Sequence, residues 1–218
     1  EIAAALKVPA SKGYFENDRY IISNCFGHLM DMYAPEAEEK GASLPIIPNH
    51  FSFRPKEEAE NQYRLLVSLI NRNDVGLIIN ACDAEREGEN IFRWVFDSTK
   101  SRKPVKRMWI NSTTVQGYLD ALENAKDQTE FNHLAAAARS RAEADWLFGI
   151  NGTRAIRNAM GRVMTPTLAM VVDAYRANKN FKPETYWEVD ALFSVSAGTY
   201  SARLLAADGK TAKFEDRA

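Results

Sequence analysis

Four carboxylates fall within seven residues in Asp83-Ala-Glu85-Arg-Glu87-Gly-Glu89, directly after the short apolar run Val75-Gly-Leu-Ile-Ile-Asn-Ala81. Carboxylates crowded this closely repel one another, and a cation resolves the conflict. An oxygen-only donor set suits magnesium, which keeps several waters and bridges protein carboxylates to phosphate, over zinc, which prefers His and Cys. A second reading fits the same residues equally well: an acidic first turn that complements a helix dipole. A second stretch with chemical content is basic. From Arg139 to Lys182 eight basic residues stand against three acidic ones, a net +5, whereas Glu1 to Glu60 carries six against ten, a net −4. That polarity fits either a phosphate-binding surface or solvated helix faces.

The elements around the acidic run follow from hydrophobic spacing. Val75–Ala81 is short and nearly all apolar, as expected of a strand buried on both faces. Helical spacing resumes from Glu89, with Ile91, Phe92, Val95 and Phe96 on one side as far as Ser98. After Pro104, Val105-Lys-Arg-Met-Trp-Ile110 predicts another strand. Strand, helix and strand over about forty residues make a βαβ unit, whose crossover is almost always right-handed between parallel strands. Ligands of such sheets gather at the carboxyl ends of the strands, which is where the acidic run lies.

Upstream, Tyr20–Asn24 predicts a strand and Lys56–Asn71 a helix. Between them, Pro35, Pro45, Pro48 and Pro55 make the 34–55 segment a surface excursion. Downstream, Thr114–Ala125 and Glu130–Arg157 predict helices, and Pro166 suits the first turn of another that ends near Asn178. Alternation over 186–195 and 199–206 around Ser196-Ala-Gly198 predicts a hairpin. No internal repeat is visible.

Composition bounds the rest. With 218 residues, 45% hydrophobic and 26% charged, the chain is ordinary globular material that can bury a core. No apolar run approaches the ~18 residues of a membrane span. Cys25 and Cys82 are the only cysteines, too few for a disulfide framework or a four-thiolate zinc site, so a reducing cytoplasm fits best. Glu1-Ile-Ala-Ala-Ala-Leu-Lys7 has no signal-peptide layout and reads as an entry into the middle of a fold.

The acidic segment resembles the Asp-x-Asp-Arg-Glu-Gly-Glu motif in the Toprim domain of type IA DNA topoisomerases. The resemblance continues through Phe26-Gly-His-Leu29, Leu44-Pro-Ile-Ile-Pro48, Lys106-Arg-Met-Trp-Ile-Asn111, Arg141-Ala-Glu-Ala-Asp-Trp146, Gly149-Ile-Asn151, Thr153-Arg-Ala155, Gly161-Arg-Val163, Thr165-Pro-Thr-Leu168, Phe181-Lys-Pro183 and Tyr186-Trp-Glu188. It covers nearly the whole chain in order and is similar to the topoisomerase III branch. Glu85 stands where the family has a second Asp, and Met164 where it has Gln. The Asn158–Arg162 connection is about ten residues shorter than the family's. The family's opening Glu-Lys-Pro-Ser and its nucleophilic tyrosine are not matched in this chain, and Tyr186 resembles a structural strand position.

The resemblance implies an α/β fold: a Toprim-type, Rossmann-like parallel sheet, then a mainly helical domain and the start of a β domain. The implied domains are 1–126 (Toprim, lacking its first strand), 127–180 (helical, DNA-binding) and 181–218 (the start of a β-rich gate domain). It implies an ATP-independent enzyme that cuts, passes and reseals single DNA strands through a 5′-phosphotyrosine. Asp83, Glu85 and Glu87 would hold magnesium and support resealing, with this piece inactive alone. Arg154, Met160, Gly161, Arg162, Val163, Met164 and Thr165 would contact DNA, and Arg162 followed by Thr165-Pro166 reads as an anion-binding helix start. Arg141 and Trp146 read as structural, and His28, His50 and His133 receive no role. The implied partner is single-stranded or locally unwound duplex DNA, with no membrane, in a cytoplasm where the protein is nucleoid-associated. Two alternatives remain: another Toprim enzyme, such as a primase, or a metal-dependent single-stranded DNA-binding module without catalysis.

Overall fold

A computed structural model describes residues 1–38 and 42–215. The chain forms two compact units, Glu1–Thr165 and Pro166–Ala218. The first opens with α1 (Ile2–Ala5), the short antiparallel pair β1 (Phe15–Glu16) and β2 (Ile21–Ile22), β3 (Met30–Tyr33) and α2 (Pro35–Glu38). Next come β4 (Ser52–Pro55), which pairs antiparallel with β3, a 3-10 turn at Glu57–Ala59 and α3 (Glu60–Ile70). β5 (Ile78–Asn80), α4 (Arg86–Ser98) and β6 (Val105–Arg107) follow, then α5 (Val115–Glu123), β7 (Lys126–Asp127) and the 25-residue α6 (Asn132–Ile156). α7 (Met164–Lys179) leads into the second unit, which ends in β8 (Asp190–Val195) and β9 (Gly198–Arg203).

The expected βαβ unit is present. β5 and β6 pair in parallel, Ile78 opposite Val105 and Asn80 opposite Arg107, with α4 as the crossover, and β7 adds antiparallel to β6. The fold is mixed α/β, built from small sheets and helices. Its strands are shorter than their apolar runs suggest: Gly76 and Leu77 precede β5, and Tyr20–Asn24 yields only the two-residue β2.

Several element boundaries differ from the sequence reading, and the 34–55 segment, expected as a surface excursion, carries α2, β4 and the buried Ala34, Ala37 and Ile46. α4 begins at Arg86 rather than Glu89, because Glu85 is extended (φ −145°, ψ 175°) and the chain turns helical directly after it. The run Arg86-Glu-Gly-Glu has no apolar periodicity, yet Arg and Glu are good helix formers and Glu87 and Glu89 suit the positive end of the helix. The core of the first unit gathers Leu29 and Met30 from the β3 approach, Ala59 before α3 and Val95 on α4, all under 5% exposed. Phe53, Tyr63, Leu66, Ile70 and Trp94 pack around them. Burying such a side chain stabilises by about 1.5–3 kcal/mol, so α3 and α4 owe their place chiefly to this cluster. At the far side, Thr114 caps α5 by accepting the Gly117 N–H at 3.1 Å.

The second unit holds the rest of α7 and the predicted hairpin. β8 and β9 pair antiparallel from Asp190–Arg203 to Val195–Gly198, and Gly198 has φ +138°, a conformation that favours glycine. Phe193 and Tyr200 stack across the pair at 5.2 Å, and Arg203 meets Asp190 and Glu188. No described helix is long and apolar enough to cross a membrane.

Candidate functional site

The acidic run occupies the turn from β5 into α4. Asp83, Glu85 and Glu87 are exposed, while Gly88, Glu89 and Asn90 are buried in the first turns of the helix. Glu85 N–H donates to the Asp83 carbonyl at 2.7 Å and so tightens the turn. Gly88 passes very close to it: a Cβ there would lie 2.8 Å from the Asp83 nitrogen and closer still to its carbonyl oxygen. Glu87 has a neighbour from outside the run, His28 Nε2 at 3.7 Å. The His28 ring lies 4.9 Å from Trp94, and burial lowers its pKa, partly opposed by Glu87.

Four carboxylates in sequence prove unequal in space. Glu89 is fully buried, and its Oε1 accepts from Arg93 Nε at 2.7 Å and from the Gln128 amide. Its Oε2 lies 3.3 Å from Arg107 Nε and 3.4 Å from Asn80 Nδ2. Arg107, at the end of β6, is likewise fully buried. Its Nη1 donates to the carbonyls of Asn80 (3.1 Å), Cys82 (2.6 Å) and Met108 (3.3 Å), and its Nη2 to the Asp83 carbonyl (2.5 Å). Burial lowers the Arg107 pKa, and Glu89 is the first of the groups opposing that shift. The Arg107 guanidinium also sits 5.2 Å over the Trp109 ring. Reading the sequence missed this Arg107–Glu89–Asn80–Gln128 network. Its one visible signal is an arginine set among apolar residues in a short β-branched run.

Asp83, Glu85 and Glu87 offer oxygen donors of the kind a hard divalent cation takes. Among the described residues, however, no three His, Cys, Asp or Glu side chains come together in a way that could hold a metal ion. The donor chemistry fits magnesium, and the geometry does not gather a site. Behind the turn, Cys82 and Cys25 are both free thiols, and their mutual hydrogen bond, with burial, pushes the Cys25 thiol up.

The basic residues lie where α6 ends and α7 begins. Arg157 closes α6 in the left-handed conformation (φ +53°), and Asn158 N–H returns to the Thr153 carbonyl at 3.2 Å. Thr153 Oγ1 accepts the Met160 N–H at 3.1 Å, and Thr165 Oγ1 accepts the Gly161 N–H at 3.1 Å. The short Asn158–Arg162 connection is thus a hydrogen-bonded turn. Arg162, Val163 and Met164 are exposed on it, while Met160, Gly161 and Thr165 are half-buried.

Both candidate arginines have partners. Arg162 pairs with Asp145 through Nε, and its Nη2 lies 3.4 Å from the second carboxylate oxygen; that pairing holds the Asp145 carboxyl below its ordinary value. Arg141 reaches the same carboxylate at 3.9 Å. Arg154 is half-buried and donates to the Ala37 carbonyl. Neighbouring motif residues have visible packing roles. Asn151 exchanges two hydrogen bonds with the Ile46 backbone, at 2.6 and 2.9 Å, and Trp146 meets Phe51 edge-on at 5.2 Å. These contacts fasten the proline-rich segment to α6.

Known proteins match this chain along its length. A family-level match to DNA topoisomerases covers residues 129–218. DNA topoisomerase 3 of Bacillus licheniformis is 36% identical over 230 aligned positions, covering 100% of this chain and 30% of that protein. DNA topoisomerase 3 of Staphylococcus saprophyticus is 39% identical over 86% of this chain and 28% of its own length, and that of Bacillus cereus 37% over 88% and 28%. The chain spans less than a third of the length of these curated relatives. These matches make the chain similar, over its whole length, to part of the DNA topoisomerase 3 proteins, and they support a type IA, topoisomerase III-like protein.

Proposed function

We propose that this chain is the resealing and strand-holding part of an enzyme that changes DNA topology by cutting one strand, passing another through the gap and closing it again. The observation that carries this reading is the placement of Asp83, Glu85 and Glu87 at the carboxyl end of β5, in a chain whose relatives are DNA topoisomerases. The sheet is read as the Toprim, Rossmann-like layer of residues 1–126, followed by DNA-binding helices over 127–180 and the start of a β-rich gate over 181–218. In the cut, a tyrosine oxygen bonds to phosphorus and the 3′ oxygen leaves as a hydroxyl; in resealing the same bonds exchange in reverse. The phosphodiester energy is kept in the covalent link, so no nucleotide is consumed. No tyrosine of this chain is assigned as that nucleophile.

The oxygen donors of Asp83, Glu85 and Glu87 suit magnesium, which would have to draw the three together and would then offset charge on the reacting phosphate. The chain's own residues act on the strand. Arg162 and Arg154 would meet backbone phosphates, with Met160, Gly161, Val163, Met164 and Thr165 shaping the groove between them. Arg162 is tethered by Asp145, which keeps the guanidinium in place but competes with phosphate. Asp145→Ala should therefore tighten single-strand binding by up to about fivefold, the equivalent of one exposed ion pair. A fluorescence anisotropy titration with an oligonucleotide checks this, and unchanged or weaker binding would place Arg162 off the strand. Work on chromosomal DNA would put the protein in the cytoplasm with the nucleoid.

A denaturing gel tests the division of labour. The 218-residue chain, incubated with labelled single-stranded DNA and magnesium, should bind without leaving a detergent-resistant adduct, whereas an adduct would place the nucleophile within residues 1–218. A second reading, a DNA-binding module without catalysis, is kept because among the described residues no three His, Cys, Asp or Glu side chains are grouped to hold a metal ion. Restoration of resealing when this chain is supplied to a full-length relative lacking the same segment would exclude it.

A further inference from the structure

We propose that Arg107, held by Glu89, is the positioning residue that sets where the acidic turn sits. The inference rests on the reading of Asp83, Glu85 and Glu87 as the working carboxylates. Arg107 is fully buried and therefore touches neither DNA nor solvent. Its Nη1 takes the carbonyls of Asn80 and Cys82, and its Nη2 the carbonyl of Asp83. The planar fork thus clamps the chain where it leaves β5, and the direction in which the Asp83 side chain departs is fixed by that clamp.

The counter-ion is built to match. Glu89 sits one helical turn past the end of the acidic turn, accepts hydrogen bonds from Arg93, Asn80 and Gln128, lies 3.3 Å from the Arg107 guanidinium as its counter-ion, and is fully buried away from any ligand. The motif's last carboxylate is therefore an anchor, while the three before it face outward. A lysine at 107 would keep the charge but could not span three carbonyls at once.

Backbone amide exchange over residues 83–88 of the 218-residue chain tests this without any metal. Arg107→Lys should exchange these amides at least tenfold faster, with α3 and the β8–β9 hairpin unchanged. Val95→Ala, a core change that lowers stability away from the turn, should leave the ratio of turn to core exchange as it is. Unchanged turn exchange in Arg107→Lys, or the same acceleration in Val95→Ala, would overturn the proposal. If Arg107→Lys does not fold, Glu89→Gln, which keeps shape and most hydrogen bonds, should show the same acceleration confined to 83–88. Mn2+ is the probe for the consequence: its affinity, read by paramagnetic broadening at 83–88, should fall about tenfold in Arg107→Lys. If wild type shows no broadening there, the metal reading fails, and the exchange ratio still decides the role of Arg107.

Discussion

Glu89→Ala will destabilise the first unit by about 3–5 kcal/mol, the loss that follows when one partner of a buried ion pair is removed and the other stays uncompensated. Both sides of the pair are fully buried, so Arg107 has no route to water once Glu89 is gone. Arg93 Nε and the Gln128 amide lose their acceptor at the same time, while Arg93 Nη2 keeps the Gln128 carbonyl and Asn132. Glu87→Ala, two residues earlier and 75% exposed, should change stability by no more than about 0.5 kcal/mol. Urea unfolding followed through the fluorescence of Trp94, Trp109 and Trp146 measures both. Equal effects at Glu87 and Glu89 would mean that the buried network is not holding the turn.

Gly88→Ala will also destabilise, against the ordinary sign of that change in a helix. Replacing glycine by alanine inside a helix normally gains up to about 1 kcal/mol. Here the new methyl would stand 2.8 Å from the Asp83 nitrogen and 3.0 Å from its carbonyl carbon, and both are backbone that cannot rotate away. Overpacking of this kind costs about 1–3 kcal/mol, and relief requires Asp83 to move away from α4. The same urea experiment, with NMR shifts at Asp83 and Glu85, checks it. A stabilised variant with unmoved shifts would show that the turn has slack.

How much of this was legible in the sequence depends on how far apart the interacting residues lie. The βαβ unit was visible because Val75–Ala81 is a short apolar run, Val105–Ile110 a short stretch opened by Pro104, and a helical period separates them, and local pattern suffices for that. The hairpin was visible for the same reason. The start of α4 was not, because Arg86–Glu89 carries no apolar period and its helix follows from propensity and from the extended Glu85 before it. The inequality among the four carboxylates was invisible as well. Glu89 is buried by Arg107 and by Gln128, the latter 39 residues away, and spacing within the motif says nothing about that. Asn151 likewise clamps Ile46 across 105 residues. The Arg162–Asp145 pair ties the connection after α6 back to the middle of that helix, across 17 residues.

Salt dependence of single-stranded DNA binding is the most direct test of the central claim, that this chain holds a DNA backbone through its basic turn. If about three phosphates are neutralised at and around Arg154 and Arg162, the log–log slope against salt is about −2, and affinity falls about 20-fold between 50 and 200 mM KCl. Arg162→Ala should lower the magnitude of the slope by about 0.7 and weaken binding alike for all sequences. Binding that is flat with salt, or a slope that Arg162→Ala leaves unchanged, would show that the basic stretch is a solvated face and contradict the account.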